Sequence, residues 1–289
     1  MKLKVCIFIL FFIIILTTCY YFAFYTKNSL IEVETSINKQ KLNYINEKDW
    51  MEKYLATNQN QFSGSGVKVA VLDTEEGNSK CDFYYNEQKV KKNSNLHSDE
   101  IISTIQKISP DVTLYCATVA SPSGEVHAHD LLMGIKWAIE QDVDIINMSL
   151  GFTQNIKEAE SILKLANING IVMIAASGNS GKNLLEYPAS SPYVIAVGAL
   201  DSNGNRWTYS NYGDNLDFVL PGVFFSSEKD YKQGTSYSTA IMSGIVGRIL
   251  EEYPEFTPSN VYNKLIEMTD NQYKFNKFKG YGTPTFNAS

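Results

Sequence analysis

The stretch HDLLMGIKWAIEQDVDIINMSLG, residues 129–151, decides the fold class. Its first part, HDLLMGIKWAIEQ (129–141), sets apolar residues at helical intervals, whereas VDIINMS (143–149) is a nearly continuous apolar run of strand length. A strand without a polar face has to be covered on both sides, the condition of a parallel sheet flanked by helices. The same alternation extends in both directions. Strand VKVAVLD (67–73), a helix over 97–107 and strand VTLYCATV (112–119) precede it. A helix through ILKLANI (162–168) and strands IVMIAAS (171–177) and YVIAVGA (193–199) follow it. The pattern predicts an α/β fold, a doubly wound, mainly parallel sheet with helices on both faces.

At 289 residues and 44 % hydrophobic content the chain can bury one large core. It has 31 acidic against 25 basic residues, a net charge of -6. Its one lysine cluster, Lys89, Lys91 and Lys92, lies in a polar loop and reads as a solvated face, so nucleic acid is not an expected partner.

The N-terminus has a different composition. Lys2 and Lys4 precede VCIFILFFIIILTTCYYFAFY (5–25), close to the roughly 20 apolar residues that span a bilayer. The run exceeds the about 7 to 15 residues of a secretory signal and no small-x-small site follows it. An uncleaved single-pass anchor is therefore expected over 1–28, with the bulk of the chain outside the cytoplasm by its flanking lysines. Secretion after signal cleavage is the alternative, and Cys19 in LTTC leaves a lipid-modified cysteine open. A polar linker over 29–63 carries the amphipathic pattern SINKQKLNYINEKDWMEKYLA (36–56), and SGSG (63–66) reads as a hinge opening the main domain, 64–289. Of four cysteines, Cys6 and Cys19 lie in the apolar run. Cys116 reads as a small buried hydrophobe, with a bridge to Cys81 left open.

In sheets of this kind ligands bind beyond the carboxyl ends of the strands. Asp73 stands there after the first strand, Ser149-Leu150-Gly151 after the strand at 143, and Ser177-Gly178-Asn179 after the strand at 171. Helices starting near His97 and in QGTSYSTAIMSGIVGRIL (233–250) aim their N-termini at the same edge. In the latter, Thr235, Ser238 and Thr239 read as helix caps, which leaves Ser236 as a nucleophile. The chain has only three histidines, so the search for a base is short. Asp73, His97 and Ser236 supply orienter, base and nucleophile of a serine-hydrolase triad. Asn179 and the Ser236 N–H supply donors for an oxyanion.

The segments VAVLDT (69–74), LHSDEIISTI (96–105), IINMSLG (145–151), AASGNSG (175–181) and GTSYSTA (234–240) stand in one order. In that order the chain, from about Lys68 to Thr269, resembles the subtilase family of serine proteases. The resemblance implies a monomeric endopeptidase with the triad Asp73, His97 and Ser236, and Asn179 in the oxyanion hole. It also implies an extended peptide or protein substrate paired between Gly124-Glu125-Val126 and Ser149-Leu150-Gly151.

Several positions depart from the family pattern. Ser98-Asp99-Glu100 follow His97 where the family has Gly-Thr-His, and Ala240 replaces a proline four residues after Ser236. The calcium-binding loop is shortened to QKISPD (106–111), so no metal or cofactor is expected. Glu186, before Tyr187-Pro188, reads either as a pocket-floor carboxylate selecting arginine or lysine, or as an exposed loop residue near Lys182. His127 and His129 read as cleft-rim or cap residues rather than ligands, and Asp142 and Asp144 as caps. A compact anchored subtilase resembles the maturation proteases that remove leaders from secreted peptides such as lantibiotics. General degradation at the cell surface and a catalytically silent peptide-binding module are the alternatives.

Overall fold

Strand β1, Lys68–Asp73, is buried from Val69 onward and lies inside the sheet, with neighbouring strands on both sides. Its side chains alternate: Val69 and Val71 enter one core cluster, Ala70 and Leu72 the other, as a strand covered on both faces requires. The structure is a computed structural model that describes Leu55 and residues 61–74, 81–85, 96–121, 125–152, 157–227, 230–269 and 274–286. The chain divides into two compact units, Met1–Glu47 and Lys48–Ser289, and every described residue belongs to the second. The apolar run 5–25, the lysine cluster, Gly124 and all of the 36–56 pattern except Leu55 therefore lie outside the described residues. Among the described residues no helix is long and apolar enough to cross a membrane.

Following β1 come β2 (Phe83–Tyr85), α1 (His97–Ile108), β3 (Thr113–Thr118), α2 (Ala128–Glu140), β4 (Ile145–Met148), α3 (Lys157–Ile168), β5 (Val172–Ala176) and β6 (Val194–Leu200). Then come β7 (Phe218–Pro221), β8 (Val223–Ser227), β9 (Asp230–Gln233), α4 (Thr235–Glu252) and α5 (Pro258–Glu267). Seven strands form one sheet in the order β2-β3-β1-β4-β5-β6-β7, all parallel, and β8 pairs antiparallel with β9. The order runs outward from β1 in both directions, which opens a crevice at its carboxyl end between β3 and β4. Asp73 stands in that crevice.

One face of the sheet is covered by α1, α4 and α5, through residues such as Ile105, Ile241, Ile245 and Leu265. The other is covered by α2 and α3, through Leu131, Ile135, Ala138 and Leu163. Helix α4 is buried from Thr235 to Leu250, which accounts for its lack of a polar stripe. Gly244 permits this depth, because a Cβ there would lie 2.5 Å from Cβ of Ile108.

Four expectations change on contact with the structure. Thr235, Ser238 and Thr239 do not cap α4 with their side chains. Its N-cap is Gly234, while Ser238 Oγ donates to the Leu220 carbonyl (2.9 Å) and Thr239 Oγ1 to that of Thr235 (2.8 Å). The hydroxyls satisfy themselves inside the core because the helix is buried all round. SGSG is pinned rather than free, since the backbone N–H groups of Ser63, Gly64 and Ser65 all donate to Glu251 Oε2, at 2.6, 2.6 and 3.1 Å. Asp142 does close a helix, in the left-handed conformation after α2 (φ 53°), but Asp144 instead accepts from Lys68 N at 2.8 Å and anchors the start of β1. Cys116 is buried, yet its sulfur is bonded to Cys81, tying the segment before β2 to β3.

Candidate active site

Asp73 ends β1 with 2 % exposure. Its Oδ1 accepts from Thr74 N (2.7 Å) and lies 2.8 Å from Nδ1 of His97, the first residue of α1. Oδ2 is buried and has no hydrogen-bond partner among the described residues. The imidazole keeps 36 % side-chain exposure, with its Nδ1 edge turned to the carboxylate. Burial lowers the pKa of His97, but the charge and hydrogen bond of Asp73, then the charge of Glu100, outweigh it, with Lys232 opposing them. The net shift is upward. Ser98 is buried and its N–H reaches Thr74 Oγ1 at 3.4 Å, so the loss of glycine after the histidine leaves the pair intact.

Ser236 is the second residue of α4, 8 % exposed. Its Oγ donates to the Ser149 carbonyl (3.0 Å), and Ser149 Oγ donates back to the Ser236 carbonyl (3.0 Å), which fastens the end of β4 to the first turn of the helix. The ring of Tyr237 lies 6.5 Å from that of His97, so this turn stands beside the imidazole. Among the described hydrogen bonds none joins Ser236 to His97. The hydroxyl is held on the Ser149 carbonyl.

Asn179 follows β5 and Gly178. Its Oδ1 accepts from both the N–H and the hydroxyl of Thr235, each at 2.9 Å. The side-chain cap of α4 therefore comes from a residue 56 positions away. These bonds fix the amide so that Nδ2 takes the other side, 3.8 Å from where a Cβ on Gly234 would stand. Thr235 is the site residue that sequence reasoning assigned to a lesser part. Its hydroxyl next to Ser236 was the available signal.

Glu186 is half-buried. A Cβ on Gly151 would lie 2.5 Å from its Oε2, and one on Gly178 2.8 Å from its Oε1. The carboxylate is thus wedged between the segment after β4 and the segment after β5, and both glycines make room for it. Burial pushes its pKa up, with Lys182 pulling the other way. On the far rim Val126 pairs with Ala120, and Glu125 is exposed while its carbonyl accepts from Ser121 N at 2.9 Å. Gly124 lies outside the described residues. His127 is the N-cap of α2 without a side-chain cap bond, and His129 is exposed. Among the described residues no three His, Cys, Asp or Glu side chains gather as metal ligands. A cavity of about 550 Å³ lined by Asn167, Tyr193, Asp214, Asp217 and Tyr262 includes none of these site residues.

A serine on a helix N-terminus, a histidine bonded to a buried aspartate and a polar amide over the same turn give the molecule the layout of an α/β serine hydrolase. The subtilase family model matches residues 92–282. Subtilisin DY of Bacillus licheniformis is 32 % identical over 235 residues, covering 73 % of this chain and 86 % of its own. Alkaline elastase YaB of Bacillus sp. (strain YaB) is 32 % identical over 231 residues, covering 73 % of this chain and 61 % of its own. Among solved structures a lanthipeptide protease superposes with a TM-score of 0.72 at 18 % identity, over 85 % of this chain and 93 % of that one. The chain belongs to the subtilase family and is a serine-type endopeptidase that acts on peptide or protein substrates.

Proposed function

We propose that Ser236 is the nucleophile of this endopeptidase, His97 its general base and Asp73 the group that orients and charges the base. The 2.8 Å contact of His97 with Asp73, beside the helix turn that carries Ser236, supports the reading most strongly. A peptide lies extended between Ser149-Leu150-Gly151 and Gly124-Glu125-Val126, its backbone paired on both sides. Ser236 Oγ attacks the scissile carbonyl carbon as His97 Nε2 takes the hydroxyl proton, and Asp73 stabilises the imidazolium that forms. The carbonyl oxygen, now negative, is held by Asn179 Nδ2 and the Ser236 N–H. The C–N bond then breaks, His97 returns the proton to the leaving amine, and water releases the acyl group by the same steps in reverse.

Asn179→Ala removes a donor aimed at the oxyanion together with the acceptor that holds Thr235. It should lower kcat by roughly a hundred to a thousandfold with little change in KM, a range carried over from subtilisin rather than derived from this chain. Steady-state kinetics on a peptide amide checks the split. An increase in KM alone would assign Asn179 to substrate binding.

Substrate choice follows from Glu186. A half-buried carboxylate between Gly151 and Gly178 faces the residue before the cleaved bond, where arginine or lysine supplies its counter-charge. Cleavage of a peptide library should centre on basic residues at that position. Glu186→Gln should lower kcat/KM for arginine relative to leucine by about tenfold to a hundredfold. A wild-type profile indifferent to charge contradicts this.

We read the biological role as maturation of a secreted peptide by removal of its leader. The enzyme would act as a monomer outside the cytoplasm, held to the membrane by residues 5–25. The Cys81–Cys116 bond suits an oxidising compartment, and the likeness to a lanthipeptide protease is in keeping with that task.

A further inference from the structure

The charges around His97 do not end at Asp73. Glu100 follows His97 by one helical turn of α1, so the two side chains leave the helix on neighbouring positions. Its carboxylate oxygens are taken by two different elements. Oε2 accepts from the hydroxyl of Tyr237, the residue after Ser236, and Oε1 pairs with Nζ of Lys232 on β9. Lys232 and Glu100 keep only 12 % and 24 % side-chain exposure, so the ion pair is largely withdrawn from solvent. Tyr237 is itself buried, its ring 5.6 Å from that of Phe224 and 6.5 Å from that of His97.

We propose that Glu100, Tyr237 and Lys232 form a positioning clamp that holds the first turn of α1 against the first turn of α4. The proposal rests on the reading of His97 as base and Ser236 as nucleophile. Those two groups stand on separate helices, and the bond from Tyr237 to Glu100 joins their turns across 137 residues of sequence. Proton transfer between them is steep in distance, and a displacement of about 1 Å costs on the order of a hundredfold in rate. The clamp therefore acts where small movements matter most.

The charges have a separate effect. Among the described residues the groups facing His97 are Asp73 on β1, Glu100 on its own helix, Lys232 on β9 and Tyr237 on α4. Glu100 favours the imidazolium and Lys232 disfavours it. The base works as the neutral imidazole, so the acidic limb of kcat/KM follows its protonation. Removing the negative charge should let the enzyme work at lower pH. Removing the positive charge should demand higher pH.

The test compares full-length wild type with Glu100→Gln, Lys232→Met, the double variant and Tyr237→Phe, measuring kcat/KM for a peptide amide across pH and normalising by active-site titration. Glutamine keeps the length of Glu100 and removes its charge. Its carbonyl oxygen can still accept from Lys232 Nζ while its NH2 donates to the Tyr237 hydroxyl oxygen, so the tie to α4 keeps a hydrogen bond. The acidic limb should move down in Glu100→Gln, up in Lys232→Met, and return close to the wild-type position in the double variant. Tyr237→Phe should leave the limb in place and lower kcat by about tenfold to a hundredfold at unchanged KM. Limbs that stay fixed, or that move in the same direction in both single variants, overturn the charge assignment, and an unchanged kcat in Tyr237→Phe overturns the positioning. If one single variant yields no titratable enzyme, the direction of the other decides. If neither does, the cluster is a structural tie and the proposal falls. Failure of the underlying triad shows differently, as activity retained by Ser236→Ala whatever the limbs do.

Discussion

Ser236→Ala is expected to lower kcat by about a millionfold at nearly unchanged KM, a magnitude carried over from subtilisin rather than derived from this chain. The substitution deletes one oxygen that donates to the Ser149 carbonyl and leaves the helix start otherwise held by Asn179 and Thr235. Folding should survive. The reciprocal bond from Ser149 Oγ to the Ser236 carbonyl uses backbone and is untouched. Substrate affinity should survive as well, because pairing with Ser149-Leu150-Gly151 does not involve the hydroxyl. Residual turnover should reflect the oxyanion donors and substrate binding alone. Parallel loss of kcat and thermal stability would instead mark Ser236 as a structural residue.

Asp73→Asn carries the second largest effect, a fall in kcat of about ten-thousandfold, the size seen when a serine protease loses this charge. The physical reason is specific to the surroundings of Asp73. Oδ1 serves both Thr74 N and His97 Nδ1, while Oδ2 is buried with no partner among the described residues. An asparagine that keeps its oxygen on those two donors must bury an NH2 where Oδ2 now stands, without an acceptor. An asparagine that flips sets its NH2 against Nδ1 and imposes the tautomer that cannot take the serine proton. Either way the negative charge that stabilises the imidazolium is gone. His97 also loses the main influence that raises its pKa against burial, so the small remaining activity should extend to lower pH. A pH profile of kcat/KM checks both statements. A variant within about tenfold of wild type would remove Asp73 from the mechanism.

The sheet was legible because its strands leave no polar face. β1, β3, β4, β5 and β6 fall within two residues of their apolar runs. β2 and β7 escaped for physical reasons: Phe83 and Tyr84 of the three-residue β2 are exposed, and β7 ends in Pro221 after three apolar residues, so neither has the longer apolar run in which the equally short β4 sits. Helix α5 carried a usable signal in Thr257-Pro258, where Thr257 and Asn260 form a reciprocal capping box. The placement of Asp73, His97, Asn179 and Ser236 at one sheet edge was legible because strand ends and helix starts converge there by topology. What the sequence did not carry were the long-range partners. Nothing near Glu251 announces that it pins residues 63 to 65, and nothing near Asn179 announces that its oxygen caps α4. Such bonds are decided by packing between segments, which local patterns do not encode.

Labelling of the full-length protein with a fluorophosphonate probe, beside Ser236→Ala and Asp73→Asn, tests the central claim most directly. An activated serine forms a covalent adduct with the probe only when a base draws off its proton. The account predicts rapid labelling of the wild type at Ser236, slow labelling of Asp73→Asn and none of Ser236→Ala. A folded wild-type protein that stays unlabelled, or equal labelling of Ser236→Ala, would contradict it.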